Sequence, residues 1–148
     1  VYGVSAGAWL GFVFGVVVTI AVVTGADQGG YIMFSARPVM TVLVCLIKGT
    51  AAGLVAGALY RAIGKKHALA GVIVAAAAAP VVNTGLFVLA MVLFYQPQLQ
   101  AWAGGTAVAT YIVTTLVGVN FLLELGVNLV LSPTITRLIA AGKKGPVD

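Results

Sequence analysis

PVMTVLVCLIKGTAAGLVAGALYRAIGKKHALAGVIVAAAAAPVVNTGLFVLAMVLFY, residues 38–95, decides the fold. It holds two long apolar runs, 38–63 and 68–95, joined by Gly64-Lys65-Lys66-His67. About 20 apolar residues cover the hydrocarbon core of a bilayer, so each run predicts a membrane-spanning α-helix. The basic link is too short to do more than reverse the chain, which makes the two helices antiparallel neighbours. Pro38 suits a first helical turn, where a missing N–H loses no partner, and Gly64 supplies the stop. Gly49, Gly53 and Gly57 recur every four residues and lay a flat stripe along one face, against which another helix can pack closely. Pro80 interrupts the second run and removes a backbone donor, a defect that membrane helices tolerate where a neighbour or a polar side chain satisfies the freed carbonyl. A kink is expected there.

The flanking sequence extends the pattern both ways. Residues 3–24 are apolar and carry Gly3, Gly7, Gly11 and Gly15, the same four-residue repeat. Residues 106–141 form the last long stretch, with Pro133 towards its end. A straight helix of that length would exceed about 50 Å, more than a bilayer needs, so its ends must emerge, tilt or break. GADQGGYIMFSA (25–36) and QPQLQAWAGG (96–105) read as loops on the membrane surface. The expected architecture is an all-α polytopic membrane bundle: a single transmembrane domain, 1–148, with about four helices over 3–24, 38–63, 68–95 and 106–141.

Composition agrees. Hydrophobic residues make up 61% of the 148 and charged ones 7%, against roughly 25% charged in a soluble domain. Eleven Lys, Arg, Asp and Glu side chains cannot clothe a water-facing surface. The net charge of +5 is not gathered on any soluble element, which argues against a nucleic-acid partner. It marks topology instead: Arg61, Lys65, Lys66, Arg137, Lys143 and Lys144 fall at one set of helix ends, which the positive-inside rule makes cytoplasmic, together with the C-terminus. Loops 25–36 and 96–105 are then external. The chain opens at Val1 without the charged n-region of a signal peptide, and further sequence is expected upstream. Cys45, the single cysteine, excludes an intrachain disulfide and a cysteine-cluster metal site.

Two ionisable residues stand within the apolar runs, Lys48 and Glu124. A charge at the bilayer centre costs about 2.5–3.5 kcal/mol on insertion scales, so it is rare without a role. Residues 108–131 hold 14 Leu, Ile, Val or Phe residues, at roughly 0.3–0.6 kcal/mol each, and the helix inserts with little margin. Lys48 lies 13 residues from Arg61 and Glu124 lies 13 from Arg137, which puts both about 20 Å from the inner interface. Asn83 and Asn120 each lie 17 residues from a basic marker, Lys66 and Arg137, in one layer about a turn further out. Asn120, Glu124 and Asn128 recur every four residues and form a polar stripe that should face the bundle interior.

Convergent donors, acceptors and a charge inside an apolar cavity are what a pocket for a small polar molecule requires. Lys48, Asn83, Asn120 and Glu124 are the candidate substrate-binding residues, and Trp102 on an external loop could close over a bound ring, as could Tyr95. The same residues admit a plainer reading. Lys48 and Glu124 could simply pair, the asparagines could only tie helices together, and Trp102, Tyr95 and Tyr31 could form an interfacial aromatic belt.

YGVSAGAWLGFVFG, LIKGTAAGLVAGALYRAIGKK, PVVNTGLFVLAMVLFY and GVNFLLELGVNLVLSPTITRL, in that order and spacing, resemble the substrate-binding S components of energy-coupling factor (ECF) vitamin transporters of prokaryotes. The resemblance covers nearly the whole chain and matches the last four of that family's six helices. The family's first helix, with its small-residue docking motif, and its first external loop have no counterpart here. The resemblance implies a multi-pass protein of the prokaryotic plasma membrane with a cavity near the external face, lined by the later helices. It places a substrate-contacting asparagine at Asn120, with Asn83 comparably placed on the preceding helix. It also implies partners: a transmembrane coupling subunit and two cytoplasmic ATPase subunits, alongside the vitamin-like substrate and membrane lipid.

No P-loop glycine-lysine motif, nucleophile with a nearby histidine base, HExxH or cysteine cluster stands in the sequence. The expectation is therefore a protein that is not an enzyme and carries no cofactor or metal. A structural or assembly subunit of a membrane complex, and half of an ion-coupled carrier using Glu124, are the competing functions. Folate, pantothenate, cobalamin and other substrates all suit the candidate residues.

Overall fold

A computed structural model describes residues 3–142, and their side chains except at 116, 119, 120, 123, 131, 132, 135, 136, 138, 139 and 142. Lys143 and Lys144 lie outside the described residues. The fold is an all-α helical bundle. In chain order it comprises α1 (Gly3–Val23), α2 (Gln28–Ala36), α3 (Pro38–Ile63), α4 (Ala68–Phe94), α5 (Gln96–Ala103), α6 (Val108–Tyr111), a π-helical segment (Ile112–Val119) and α7 (Asn120–Gly142). Three of these, α1, α3 and α4, are long and apolar enough to cross a membrane, as a membrane protein requires. Their outer faces stay apolar: Leu10 is 68% exposed and Val39 is 73% exposed, a surface suited to hydrocarbon rather than water.

The glycine stripes on α1 and α3 meet each other. A Cβ at Gly11 would strike the Gly49 carbonyl oxygen, one at Gly49 would lie 2.6 Å from the Gly11 oxygen, and one at Gly15 would lie 2.8 Å from the Cys45 oxygen. Gly7 faces Gly53 in the same way. Each step of four along α1 is a step of four back along α3, so the helices run antiparallel with backbone against backbone. Only residues without a side chain allow that approach.

α3 turns into α4 through the basic link, where Gly64 does something other than expected. It ends α3 in ordinary right-handed geometry, with φ −65°, so a left-handed cap is not its purpose. A Cβ there would lie 2.7 Å from the Tyr60 ring, and one at Gly71 would lie 2.7 Å from the Gly64 backbone. Close packing of the turn is what demands glycine.

α4 runs unbroken through Pro80, which is buried. Asn128 of α7 explains how: its Nδ2 donates to the Ala76 carbonyl oxygen at 3.2 Å. Ala76 stands four residues before Pro80 and has lost its helical donor to the proline ring. A side chain from the next helix thus repairs α4 and fixes α7 against it.

Both segments read as loops are helical. Asp27 accepts a 2.9 Å hydrogen bond from the Gly30 backbone N–H and so caps α2. α5 has Pro97 in its first turn, and Gly104 closes it in the left-handed region, φ 58°. Met33 of α2 and Leu99 of α5 are buried together with Met91 and Tyr95 in one apolar cluster, which holds both short helices against one end of α3 and α4. The last stretch also differs from a simple helix. It widens to π geometry over 112–119 before α7 begins.

The long helices pack in chain order, α1 on α3, α3 on α4 and α4 on α7. Among the described residues the arc does not close: α1 and α7 flank an open groove of about 860 Å³.

Candidate functional site

A cavity of about 370 Å³ opens beneath α2 and α5, lined among others by Lys48 of α3, Asn83 and Phe87 of α4, Trp102 of α5 and Glu124 of α7. Four candidate residues from four helices therefore share one space. The side chain of the fifth, Asn120, lies outside the described ones; its backbone starts α7 one turn before Glu124. The larger groove presents mainly glycine, alanine and other apolar groups, and among the described residues its polar lining is Asn83, Glu124, Asn128 and the tyrosine at 60. Charged and polar side chains are therefore more densely gathered in the smaller cavity. Asn83 and Glu124 line both, so this pair stands where the two spaces meet.

Lys48 and Glu124 do not pair. Among the described residues no ion pair joins them, and the Lys48 ammonium instead lies 5.1 Å from the centroid of the Phe87 ring. That distance is within reach of a cation–π attraction, which steadies the charge without neutralising it. The Glu124 side chain is exposed to the two spaces it borders. Cation and carboxylate thus line one cavity and are left apart.

Asn83 carries a second open valence. Its Oδ1 is buried with no hydrogen-bond partner, and leaving an amide oxygen so costs about 1–3 kcal/mol. Such an atom in a native fold calls for an explanation, of which an unfilled ligand position is one. The asparagines do not behave alike: Asn128 is engaged with the α4 backbone, in keeping with the plainer, helix-tying reading.

The roof comes from α2 and α5. The Trp102 ring packs beside Gly29, where a Cβ would make ordinary contact with Cη2 at 3.7 Å. Trp102 is half-buried on a packed helix, against the expectation of a loop residue, and it lines the cavity. Tyr95 plays neither role considered for it. It is fully buried in the apolar cluster, its hydroxyl shares a 2.7 Å hydrogen bond with Thr41 Oγ1, and Thr41 donates to the Arg37 carbonyl at 2.9 Å. It is therefore a tie between α4 and α3, neither a belt residue nor a ligand stack. Tyr31, 48% exposed, keeps a surface position.

Phe87, Met33, Thr84 and Asp27 also line the cavity and were not anticipated. Phe87 was within reach, since it stands four residues after Asn83 and so on the same helix face. Asp27 needed the fold, because it is the capped turn into α2 that sets this exposed residue at the cavity's edge. Comparison with protein-family models, curated proteins and solved structures returns no match.

Proposed function

We propose that this chain is the membrane-embedded substrate-binding subunit of an ATP-driven, ECF-type importer of a vitamin or related micronutrient. The convergence of Lys48, Asn83, Trp102 and Glu124 on one cavity beneath the α2–α5 roof is the observation that carries this reading. A cavity of about 370 Å³ falls at the small end of the roughly 300–1,000 Å³ typical of small-molecule sites. The basic ends of α3 and of the last helix face the cytoplasm in this reading, as does the C-terminus. The last helical stretch is then the fourth span, and the roof faces outward. Substrate enters beneath α2 and α5, settles at the Asn83–Glu124 layer, and is released inward when a coupling subunit and two cytoplasmic ATPases act on the loaded protein. The chain itself performs no chemistry on its cargo.

Purified protein screened by thermal shift against the water-soluble vitamins tests this. A vitamin that stabilises the wild type, and stabilises Asn83→Ala and Asn120→Ala less, supports a binding subunit. If no vitamin shifts the wild type while reconstituted protein carries a pH- or Na+-dependent flux abolished in Glu124→Gln, the carrier reading replaces it. Glu124 facing open space rather than Lys48 is the feature that favours that alternative. A protein that does neither is a structural subunit.

A further inference from the structure

Three charged side chains line the smaller cavity: Asp27, Lys48 and Glu124. Asp27 is accounted for locally, because its carboxylate accepts from Gly30 N–H and sits at the N-terminus of α2, where a negative charge is favoured. Lys48 has the Phe87 ring, which steadies its charge without neutralising it, and Glu124 has no counter-ion among the described residues. One ammonium and one carboxylate remain, in a space of about 370 Å³, without an ion pair between them among the described residues. Asn83 lines the same cavity, and its buried Oδ1, which can only accept a hydrogen bond, has no partner.

From this we infer that the occupant is a small zwitterion: its amino or other cationic N–H group meets Glu124, on the wall that Asn83 shares, and its carboxylate or other anionic group meets Lys48. The inference rests on the binding-subunit reading and deepens it. Each half of the occupant answers one charge that the protein leaves without a counter-ion, and opposite charges held a few ångströms apart attract. A purely anionic ligand would satisfy Lys48 and leave Glu124 facing it with like charge. A purely cationic one would reverse the fault. A neutral ligand would leave both protein charges unmatched. The apolar body of the zwitterion lies against Phe87 and Met33, with Trp102 above, so an unsaturated or aromatic body fits better than a sugar.

The test uses the full chain in detergent micelles and a panel of probes grouped by charge. Zwitterions are represented by the aromatic amino acids and 4-(aminomethyl)benzoate, cations by tryptamine and benzamidine, anions by indole-3-propionate and benzoate, and neutrals by nicotinamide and indole. The water-soluble vitamins are included, each assigned to its charge class. Thermal shift finds binders, and titration calorimetry gives their Kd. The expected result is that the tightest binders are zwitterions, at least tenfold ahead of any probe of single charge. Lys48→Met and Glu124→Gln should each weaken the best zwitterion tenfold or more, while Lys48→Arg retains it. Melting of each ligand-free variant reports whether it folds, and Lys48→Arg keeps the test decisive should Lys48→Met not. Tightest binding by a neutral, anionic or cationic probe, or binding indifferent to Lys48→Met, overturns the zwitterion and leaves the binding subunit standing. Failure of every probe and every vitamin overturns both.

Discussion

Replacing Asn128 by alanine removes the donor that Asn128 gives to the Ala76 carbonyl, and the consequence depends on Pro80. In the native helix that carbonyl has no donor of its own, since residue 80 lacks an N–H. Interhelical hydrogen bonds in membrane proteins average about 0.6 kcal/mol and reach about 1.7. A carbonyl left unsatisfied costs about 1–3 kcal/mol. Asn128→Ala should therefore destabilise the protein by about 1–2 kcal/mol. In a Pro80→Ala background the N–H of residue 80 returns to Ala76, and the loss of Asn128 should matter less by about 0.5–1.5 kcal/mol. Any other interaction Asn128 makes appears in both backgrounds and cancels in the double-mutant cycle. Reversible unfolding by SDS in mixed micelles, followed by far-UV circular dichroism on wild type, both single variants and the double variant, measures the coupling. A coupling inside the roughly 0.3–0.5 kcal/mol scatter of independent sites would refute the idea that Asn128 mends the helix at Pro80.

Gly11→Val should cost about 3 kcal/mol or more, because its Cβ meets the Gly49 backbone and overpacking has nowhere to relax. Gly85→Ala, with nothing within 4 Å of its new methyl group, should gain about 0.5–1 kcal/mol in the same unfolding assay. Tyr95→Phe deletes the hydroxyl that holds Thr41 and should lower stability by about 0.5–1.5 kcal/mol, with Thr41→Val giving a similar loss and the pair less than the sum. Trp102→Ala should weaken the best-binding vitamin or zwitterion by about tenfold, an aromatic contact of roughly 1 kcal/mol plus its buried area; unchanged affinity in calorimetry removes Trp102 from the site.

The long helices were legible because length and apolarity are properties of a run, readable without knowing what it packs on. The glycine period of four was legible in the same way, and it foretold a close helix contact without saying that the two stripes would meet each other. The short helices were not. α2 and α5 hold Gly, Gln and Pro and no apolar run of spanning length, so composition makes them loops; their helicity depends on a single cap at Asp27 and on Pro97 and Gly104 as start and stop. Depth along a helix axis was legible because the rise per residue is fixed, and a count from the basic ends brought Lys48, Asn83 and Glu124 to neighbouring levels. Rotation about that axis was not. Whether the Lys48 ammonium turns to Glu124 or to the face of Phe87 is set by how α3 and α4 pack, and no count of residues contains it.

The same distinction separates the polar groups by role. Asn128, Thr41 and Tyr95 each spend their hydrogen bonds on the protein, and each sits where two helices must be held in register. Lys48 and Glu124 line a cavity with no counter-ion among the described residues, and Asn83 on the same cavity keeps a buried Oδ1 without a hydrogen bond. An ion pair between the first two would be the stable use of two charges in hydrocarbon, since a partner offsets much of the desolvation each charge suffers. Helices already locked by the α1–α3 glycine contact and the Asn128–Ala76 bond need no further tie at that layer. A chain that keeps both charges, apart and around a void, forgoes stability that two apolar residues would supply. In the binding-subunit reading proposed above, that loss is the cost of groups kept for a ligand, and it directs the search for function to this layer rather than to the larger and mostly apolar groove.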